Sequence, residues 1–105
     1  YCFCNMSISH NYFVYIMTNK NKTVLYTGVT NDIERRVYEH ETNEFKGFTK
    51  RYNCHYLVYY EHTTSIEEAI DREKEIKKWR REKKDRLIAL FNPQWLFLND
   101  QIENI

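Results

Sequence analysis

Two short apolar segments joined by a polar turn constrain the fold of this chain more than any other feature. They lie within the run from Tyr12 to Gly28, YFVYIMTNKNKTVLYTG. Runs rich in valine, isoleucine, tyrosine and phenylalanine favour strands, and the polar residues between them are typical of a turn. The sequence therefore predicts strands near 12–18 and 24–29 that pair as a β-hairpin.

The rest of the chain adds one strand and three helices to this hairpin. Its 105 residues suffice for one domain with one core. We predict an α/β (α+β) fold, a small three-stranded antiparallel sheet flanked by helices. We expect helices near 31–42, 65–79 and 82–91 and a third strand near 56–61. The last two helices are separated by a break at 79–81, and Pro93 ends the last helix. The expected domain is 12–100, with an N-terminal extension 1–11, in which Met6 is a candidate natural start, and a C-terminal tail 101–105. The segment WLFLND is apolar enough to pack back on the domain.

The first predicted helix carries ionisable residues on its apolar stripe. Asn31 is a good N-cap, and Glu34 three residues later completes a pattern typical of a capping box. Four residues at i, i+3, i+4 and i+7 form the stripe: Ile33, Arg36, Val37 and His40. A buried arginine costs free energy unless it meets an anion, so Arg36 requires either a protein carboxylate or a ligand phosphate.

The second predicted helix repeats this pattern with the opposite charge. Ser65 and Glu68 indicate another capping box. The stripe that follows is Ile66, Ala69, Ile70, Glu73 and Ile76. A carboxylate on such a stripe is usually paired with a cation, and for Glu73 this could be Arg36 or a divalent metal ion.

These residues together resemble the GIY-YIG nuclease superfamily, most closely its small standalone members, often called YhbQ-like. The resemblance covers about Tyr12 to Asp100. It rests on VYI at 14–16, YTG at 26–28, Arg36, His40, Glu73, and Asn92 before Pro93 and Trp95. Val14 stands where the family name has glycine, and Thr27 where it has isoleucine; both are structural rather than reactive positions.

The resemblance implies a metal-dependent endonuclease that hydrolyses DNA phosphodiester bonds, with branched or single-stranded DNA and repair as candidate contexts. Tyr15 or Tyr26 would assist proton transfer from the attacking water, and the sequence leaves open which one. Arg36 would hold the scissile phosphate, and His40 would act as a proton relay or phosphate donor.

The same resemblance assigns Glu73 to a single divalent ion, Mg²⁺ or Mn²⁺, and places Asn92 near the metal and phosphate. Gly28 would provide close backbone approach or a positive φ, which would also let phosphate come near. Each residue has an ordinary alternative. The tyrosines could be core residues, Arg36 and Glu73 ion-pair residues, and Asn92 a helix C-cap.

Basic residues cluster in two places although the formal net charge is only +1. The segment Lys74–Arg86 holds eight basic and three acidic residues, a local net charge of +5. Such runs are usually solvated helix faces, but phosphate-backbone binding would also require them. The candidate nucleic-acid contacts are Lys46, Lys50, Arg51, Lys77, Lys78, Arg80 and Arg81.

Composition limits the remaining possibilities. No apolar stretch is long enough to span a bilayer, and the first residues lack a secretory signal pattern, so we expect a cytoplasmic protein without a membrane partner. Cys2, Cys4 and Cys54 lack paired zinc spacing. We expect DNA as the partner and no small-molecule cofactor; the sequence does not predict an oligomeric state. Two alternative functions are a catalytically weak nucleic-acid-binding module and a protein-interaction domain.

Overall fold

The computed structural model describes residues 10–42, 44, 47 and 51–102, in which a β-hairpin precedes a helix, a third strand and two further helices. The predicted α+β class and the three-stranded antiparallel sheet are confirmed. In chain order the elements are β1 (Tyr12–Thr18), β2 (Leu25–Thr30), α1 (Ile33–Glu41), β3 (Tyr56–Thr63), α2 (Ile66–Lys77), α3 (Arg81–Phe91) and a 3₁₀ turn (Asn99–Gln101).

The sheet has the order β2-β1-β3, so the first strand lies in the middle. Tyr15 pairs with Gly28 on β2 and with Tyr60 on β3. Every residue of β1 after Tyr12 is buried, because strands cover it on both sides and helices cover both faces. Tyr26 lies on the edge strand β2 and is only half-buried. This difference between a central and an edge strand decides which tyrosine can reach solvent.

Alternation along the strands divides the core into two layers. Phe13, Tyr15 and Met17 face α1, where they pack with Ile33 and Val37. On the opposite face of the sheet, Val14, Ile16 and Val58 pack against α2 and α3. The helix residues in this layer are Ala69 and Ile76 of α2 and Ile88 of α3. The helices α1 and α2 therefore cover opposite faces of the sheet, while the charges of Arg36 on α1 and Glu73 on α2 both act on Tyr15 in the central strand.

The helix N-termini agree only in part with the sequence prediction. Ser65 caps α2 by accepting a hydrogen bond from the Glu68 amide at 3.2 Å, as expected. For α1 the prediction of Asn31 was wrong: the cap is Asp32, whose carboxylate accepts from the Arg35 amide at 3.1 Å. The buried stripe of α2 is also narrower than predicted, since Ile66 and Ile70 are exposed.

Arg72 fixes the position of α2 against the sheet. Its Nε donates to both carboxylate oxygens of Glu61 on β3, at 3.0 and 3.2 Å, and its Nη1 donates to Glu75 at 2.9 Å. The Tyr59 hydroxyl donates to the same Glu61 carboxylate at 2.6 Å. Because Glu73 follows Arg72 directly in the helix, this network also sets where the Glu73 carboxylate lies.

The segment after Pro93 returns to the domain, as its apolar composition predicted. The Leu98 amide donates to the Leu57 carbonyl at 2.8 Å, and the Asn99 side chain accepts from the Leu57 amide at 2.8 Å. Ile102 is buried in the core layer under α1. The core therefore extends beyond residue 100, the predicted end of the domain.

Arg81 clamps the start of α3 to the turn of the β-hairpin. Its Nη2 donates to the Lys22 carbonyl at 2.7 Å and its Nη1 to the Thr23 carbonyl at 3.0 Å, while Nε donates to Asp85 at 2.7 Å. The turn is also braced internally, because the Asn19 side chain accepts from the amides of Thr23 and Val24 at 2.8 and 3.2 Å. The role of Arg81 as a phosphate contact stays a prediction; in this conformation its guanidinium is already engaged by these acceptors.

Candidate active site

A buried tyrosine–histidine pair lies at the centre of the candidate site. The Tyr15 hydroxyl oxygen is 3.1 Å from His40 Nε2, and each residue is only 1% exposed. β1 presents the phenol from the middle of the sheet, and the last turn of α1 presents the imidazole from above. At this depth neither side chain reaches solvent, so the predicted direct phosphate contact by His40 is disfavoured and a relay role is favoured.

Gly28 makes room for this pair. A β-carbon on Gly28 would lie 2.6 Å from the Tyr15 hydroxyl oxygen and 2.7 Å from its Cζ, far inside van der Waals contact. The φ of Gly28 is not positive; among the described glycines only Gly47 has a positive φ. Of the two predicted roles of Gly28, the structure therefore favours close approach over a positive φ. The group that approaches the glycine is the Tyr15 ring.

Tyr26 completes an aromatic cluster with the buried pair. Its ring centroid is 6.3 Å from that of Tyr15 and 5.6 Å from that of His40. Because Tyr26 lies on the edge strand and is half-buried, it is the member of the cluster that solvent can reach.

Burial and neighbouring charges set the protonation states of the pair. Burial, followed by the Tyr26 phenol, raises the pKa of Tyr15; Arg36 lowers it, and Glu73 raises it further. Burial, together with the positive charge of Arg36, lowers the pKa of His40 to about 4. At neutral pH a protonated phenol therefore meets a neutral imidazole, and the charges of Arg36 and Glu73 both act on the phenol.

Arg36 lies between the interior and the surface of α1. Its side chain is 25% exposed, and its Nε is 3.6 Å from Glu39 Oε1 in an i,i+3 ion pair. Such pairs contribute only a few tenths of a kcal/mol. The Arg36 side chain is thus partly exposed, although its Nε is buried, and its positive charge acts on both Tyr15 and His40.

Glu73 presents its carboxylate from α2 and already has a cationic neighbour. Lys77 Nζ lies 3.1 Å from Glu73 Oε2, with the Glu73 side chain 21% exposed. The same ammonium lies 5.9 Å from the Tyr26 ring centroid, so Lys77 connects Glu73 to the aromatic cluster.

The donor set suits an oxygen-liganded ion shared with substrate. Among the residues that the structure describes, no group of three or more His, Cys, Asp or Glu side chains is arranged to hold a metal ion. Mg²⁺ commonly binds through one or two carboxylates, with waters and substrate phosphates completing the shell. Glu73 fits that role as a single protein ligand. Cys54 is buried in the core, and Cys2 and Cys4 lie outside the described residues.

Asn92 has the helix-capping contacts that were its alternative interpretation. Its Nδ2 donates to the carbonyls of Val58 and Leu96 at 3.0 and 2.8 Å, and its Oδ1 accepts from the Leu96 amide at 3.0 Å. These bonds occupy both ends of the amide in holding the chain after α3. Its catalytic role stays a prediction that the described contacts do not support.

The other predicted nucleic-acid contacts fall into three groups. Lys46 and Lys50 lie outside the described residues. Arg51, Lys78 and Arg80 are exposed, with the Arg51 guanidinium 5.5 Å from the Tyr52 ring centroid. Lys77 pairs with Glu73, as described above.

Sequence reasoning missed one basic residue near the site. A groove of about 280 Å³ runs beside β2, lined by Leu25, Tyr26, Thr27, Lys77 and Lys84. Lys84 was counted only as part of the basic segment. Its spacing of seven residues from Lys77 indicates a shared helix face only if one helix continues, but the helix breaks between α2 and α3.

Among the described residues, no helix is both long enough and apolar enough to cross a bilayer.

Comparisons with known proteins agree with this arrangement. Residues 11–86 match the family described as the GIY-YIG catalytic domain. A UPF0213 protein of Natronomonas pharaonis is 40% identical over 79 residues, which cover 75% of this chain and 92% of that protein. A UPF0213 protein of Staphylococcus saprophyticus is 38% identical over 78 residues, covering 74% of this chain and 94% of that protein. The solution NMR structure of a UPF0213 protein from Bacillus halodurans superposes with a TM-score of 0.54 at 30% identity, covering 90% of this chain and 96% of that one.

Proposed function

Since the chain belongs to the GIY-YIG catalytic-domain family, we propose that it is a metal-dependent endonuclease that hydrolyses DNA phosphodiester bonds. The observation that carries the proposal is that a half-buried phenol, a partly exposed arginine and a carboxylate lie near the buried Tyr15–His40 pair, since the charges of Arg36 and Glu73 both act on the Tyr15 phenol. These groups can move a proton, bind a phosphate and hold a cation, which are functions that metal-assisted phosphodiester hydrolysis uses.

In this proposal Tyr26 assists the attacking water. Tyr26 is the phenol that solvent can reach, whereas Tyr15 is buried and bonded to His40. As the water oxygen bonds to phosphorus, the water proton passes to the Tyr26 oxygen, and the Tyr26 proton passes to the neutral imidazole beside it. In this step His40 Nε2–H donates to the Tyr15 oxygen, so that Nδ1 is the nitrogen that accepts the proton. Tyr15 acts as a positioning residue that holds this imidazole.

Arg36 holds the scissile phosphate and stabilises the charge that grows on its oxygens. Its positive charge is one of the causes that lower the pKa of His40 to about 4. An anionic phosphate bound at Arg36 would offset this charge, so substrate binding would make His40 a better proton acceptor. The P–O bond to the leaving group then breaks, the leaving oxygen takes a proton from solvent, and the imidazolium returns its proton through Tyr26 to solvent.

Glu73 is the residue that would hold a single divalent ion, Mg²⁺ or Mn²⁺, which would supply charge stabilisation at the leaving oxygen. Because one carboxylate binds such an ion weakly, we expect full loading only when phosphate oxygens are present.

The direct test is cleavage of labelled single-stranded, duplex and branched DNA with Mg²⁺, Mn²⁺ or EDTA. We expect cleavage with either ion and none with EDTA, and we expect Glu73→Gln to abolish it. Glu67→Gln is the matched control, because Glu67 lies in the exposed first turn of the same helix. Cleavage by Glu73→Gln at the wild-type rate would contradict the metal assignment.

A catalytically weak nucleic-acid-binding module is the second candidate function. The pairing of Lys77 with Glu73 favours it, because the candidate metal ligand already has a cation beside it. Salt-sensitive DNA binding without cleavage under any of these conditions would support this alternative. If DNA does not bind at all, a protein-interaction role is favoured instead.

A further inference from the structure

The groove beside the edge strand β2 continues from the candidate active site. Tyr26 belongs to both, since its ring contacts the buried cluster and its side chain also lines the groove. The groove has a volume of about 280 Å³. A chain that places a phosphate at Arg36 and Tyr26 could therefore continue into it.

The charge of the groove is positive. Lys77 from α2 and Lys84 from α3 line it, and no acidic residue is among its described lining residues. Lys84 is half-buried, so part of its side chain is packed. Among the ion pairs of the described residues none involves Lys84. The Lys84 ammonium is therefore available to an anionic ligand that enters the groove.

We propose that this groove binds the sugar–phosphate backbone of the DNA strand next to the scissile phosphate, with Lys84 and Lys77 contacting phosphate oxygens. The proposal rests on the proposed nuclease function and adds a binding site to it. Charge complementarity favours a nucleic-acid strand as the occupant: two lysines line the groove together with Leu25, Tyr26 and Thr27, which suits phosphates alternating with sugars.

Lys77 couples this site to Glu73. In the free protein its ammonium lies 3.1 Å from the Glu73 carboxylate, in a partly exposed i,i+4 pair. Such pairs are weak, so a phosphate in the groove can attract the ammonium away. The carboxylate would then be available to a divalent ion. Strand binding and ion binding would therefore favour each other, and the coupling must be equal in both directions.

The first experiment measures DNA binding in EDTA by fluorescence anisotropy of a labelled single-stranded oligonucleotide, at several salt concentrations. We expect Lys84→Gln to weaken binding several-fold and to lower the slope of log K against log salt by about one. Lys78→Gln removes the same charge from the exposed end of α2, outside the groove, and should have a smaller effect. Lys84→Arg keeps the charge and should bind like wild type.

Three results would contradict this site. Equal losses in Lys84→Gln and Lys78→Gln would indicate a general electrostatic surface. A Lys84→Arg variant as weak as Lys84→Gln would indicate a packing role. Wild-type protein that shows no salt-sensitive binding at all would overturn the proposed function itself, which distinguishes the two failures.

The second experiment measures Mn²⁺ binding to the DNA-free protein by electron paramagnetic resonance. We expect Lys77→Gln to bind Mn²⁺ several-fold more tightly than wild type, because the competing ammonium is removed, and Glu73→Gln to lose this binding. Lys78→Gln again controls for the loss of one nearby charge. If Lys77→Gln and Lys78→Gln bind Mn²⁺ equally, Lys77 does not compete for the carboxylate, and the coupling is wrong.

Discussion

Replacing Gly28 with alanine is expected to destabilise the fold, because the new β-carbon would lie 2.6 Å from the Tyr15 hydroxyl oxygen. The phenol has little room to move, since it is buried and bonded to His40 at 3.1 Å. Forcing extra volume into a packed core costs about 1–3 kcal/mol, and losing the hydrogen bond adds about 1 kcal/mol.

One effect opposes this loss. Alanine restricts the unfolded chain more than glycine does, which stabilises a strand by roughly 0.5–1 kcal/mol. The net decrease in the free energy of unfolding should therefore be about 1–3 kcal/mol. For a domain of this size that corresponds to a fall in Tm of roughly 5–20 °C. Equilibrium denaturation followed by circular dichroism would measure it.

A double-mutant cycle identifies the cause. In a Tyr15→Leu background the ring is gone, so Gly28→Ala should become neutral or slightly stabilising. The reasoning is refuted if alanine at position 28 costs as much in the Tyr15→Leu background as in wild type, or if Gly28→Ala alone leaves the stability unchanged.

Three further predictions follow from the buried pair and its charges. His40 has its pKa lowered from 6.5 to about 4, so below pH 6.5 the unfolded chain binds a proton that the folded protein does not. Roughly 3 kcal/mol of the free energy of unfolding should therefore be present above pH 6.5 and lost as the pH falls towards 4. His40→Gln should abolish this dependence in denaturation curves. Arg36→Ala removes a partly exposed ion pair with Glu39, so it should cost less than about 1 kcal/mol while cleavage falls by about 10²–10³-fold; strong destabilisation with normal cleavage per folded molecule would contradict this. Tyr26→Phe should slow single-turnover cleavage more than Tyr15→Phe, which should cost about 1 kcal/mol of stability through its lost hydrogen bond; the reverse order of rates would assign the water-assisting role to Tyr15.

The features that the sequence predicted well are local. The hairpin, the Ser65 cap and the helix break each depend on neighbouring residues, whose strand propensity, capping chemistry or lack of helical continuity can be read directly. The miss at the start of α1 is also local. Asn31 and Asp32 are both good N-caps, and only the backbone conformation decides between them.

The features that it could not predict depend on strand order and long-range contacts. Tyr15 and Tyr26 look equivalent in sequence, but the central position of β1 buries the first, and the edge position of β2 exposes the second. The helical stripe gave the correct phase for Ala69 but not the width of the covered face. Spacing could place the site residues in one region, while the accessibility that separates their roles arises from tertiary structure.

The Arg81 clamp has a consequence for protein engineering. An exposed hairpin turn is normally a tolerant place to insert a tag or a fluorescent reporter. Here the carbonyls of Lys22 and Thr23 accept hydrogen bonds from a helix 58 residues or more further along the chain. An insertion at this turn would loosen the start of α3 together with the hairpin, so a label is better attached elsewhere on the surface.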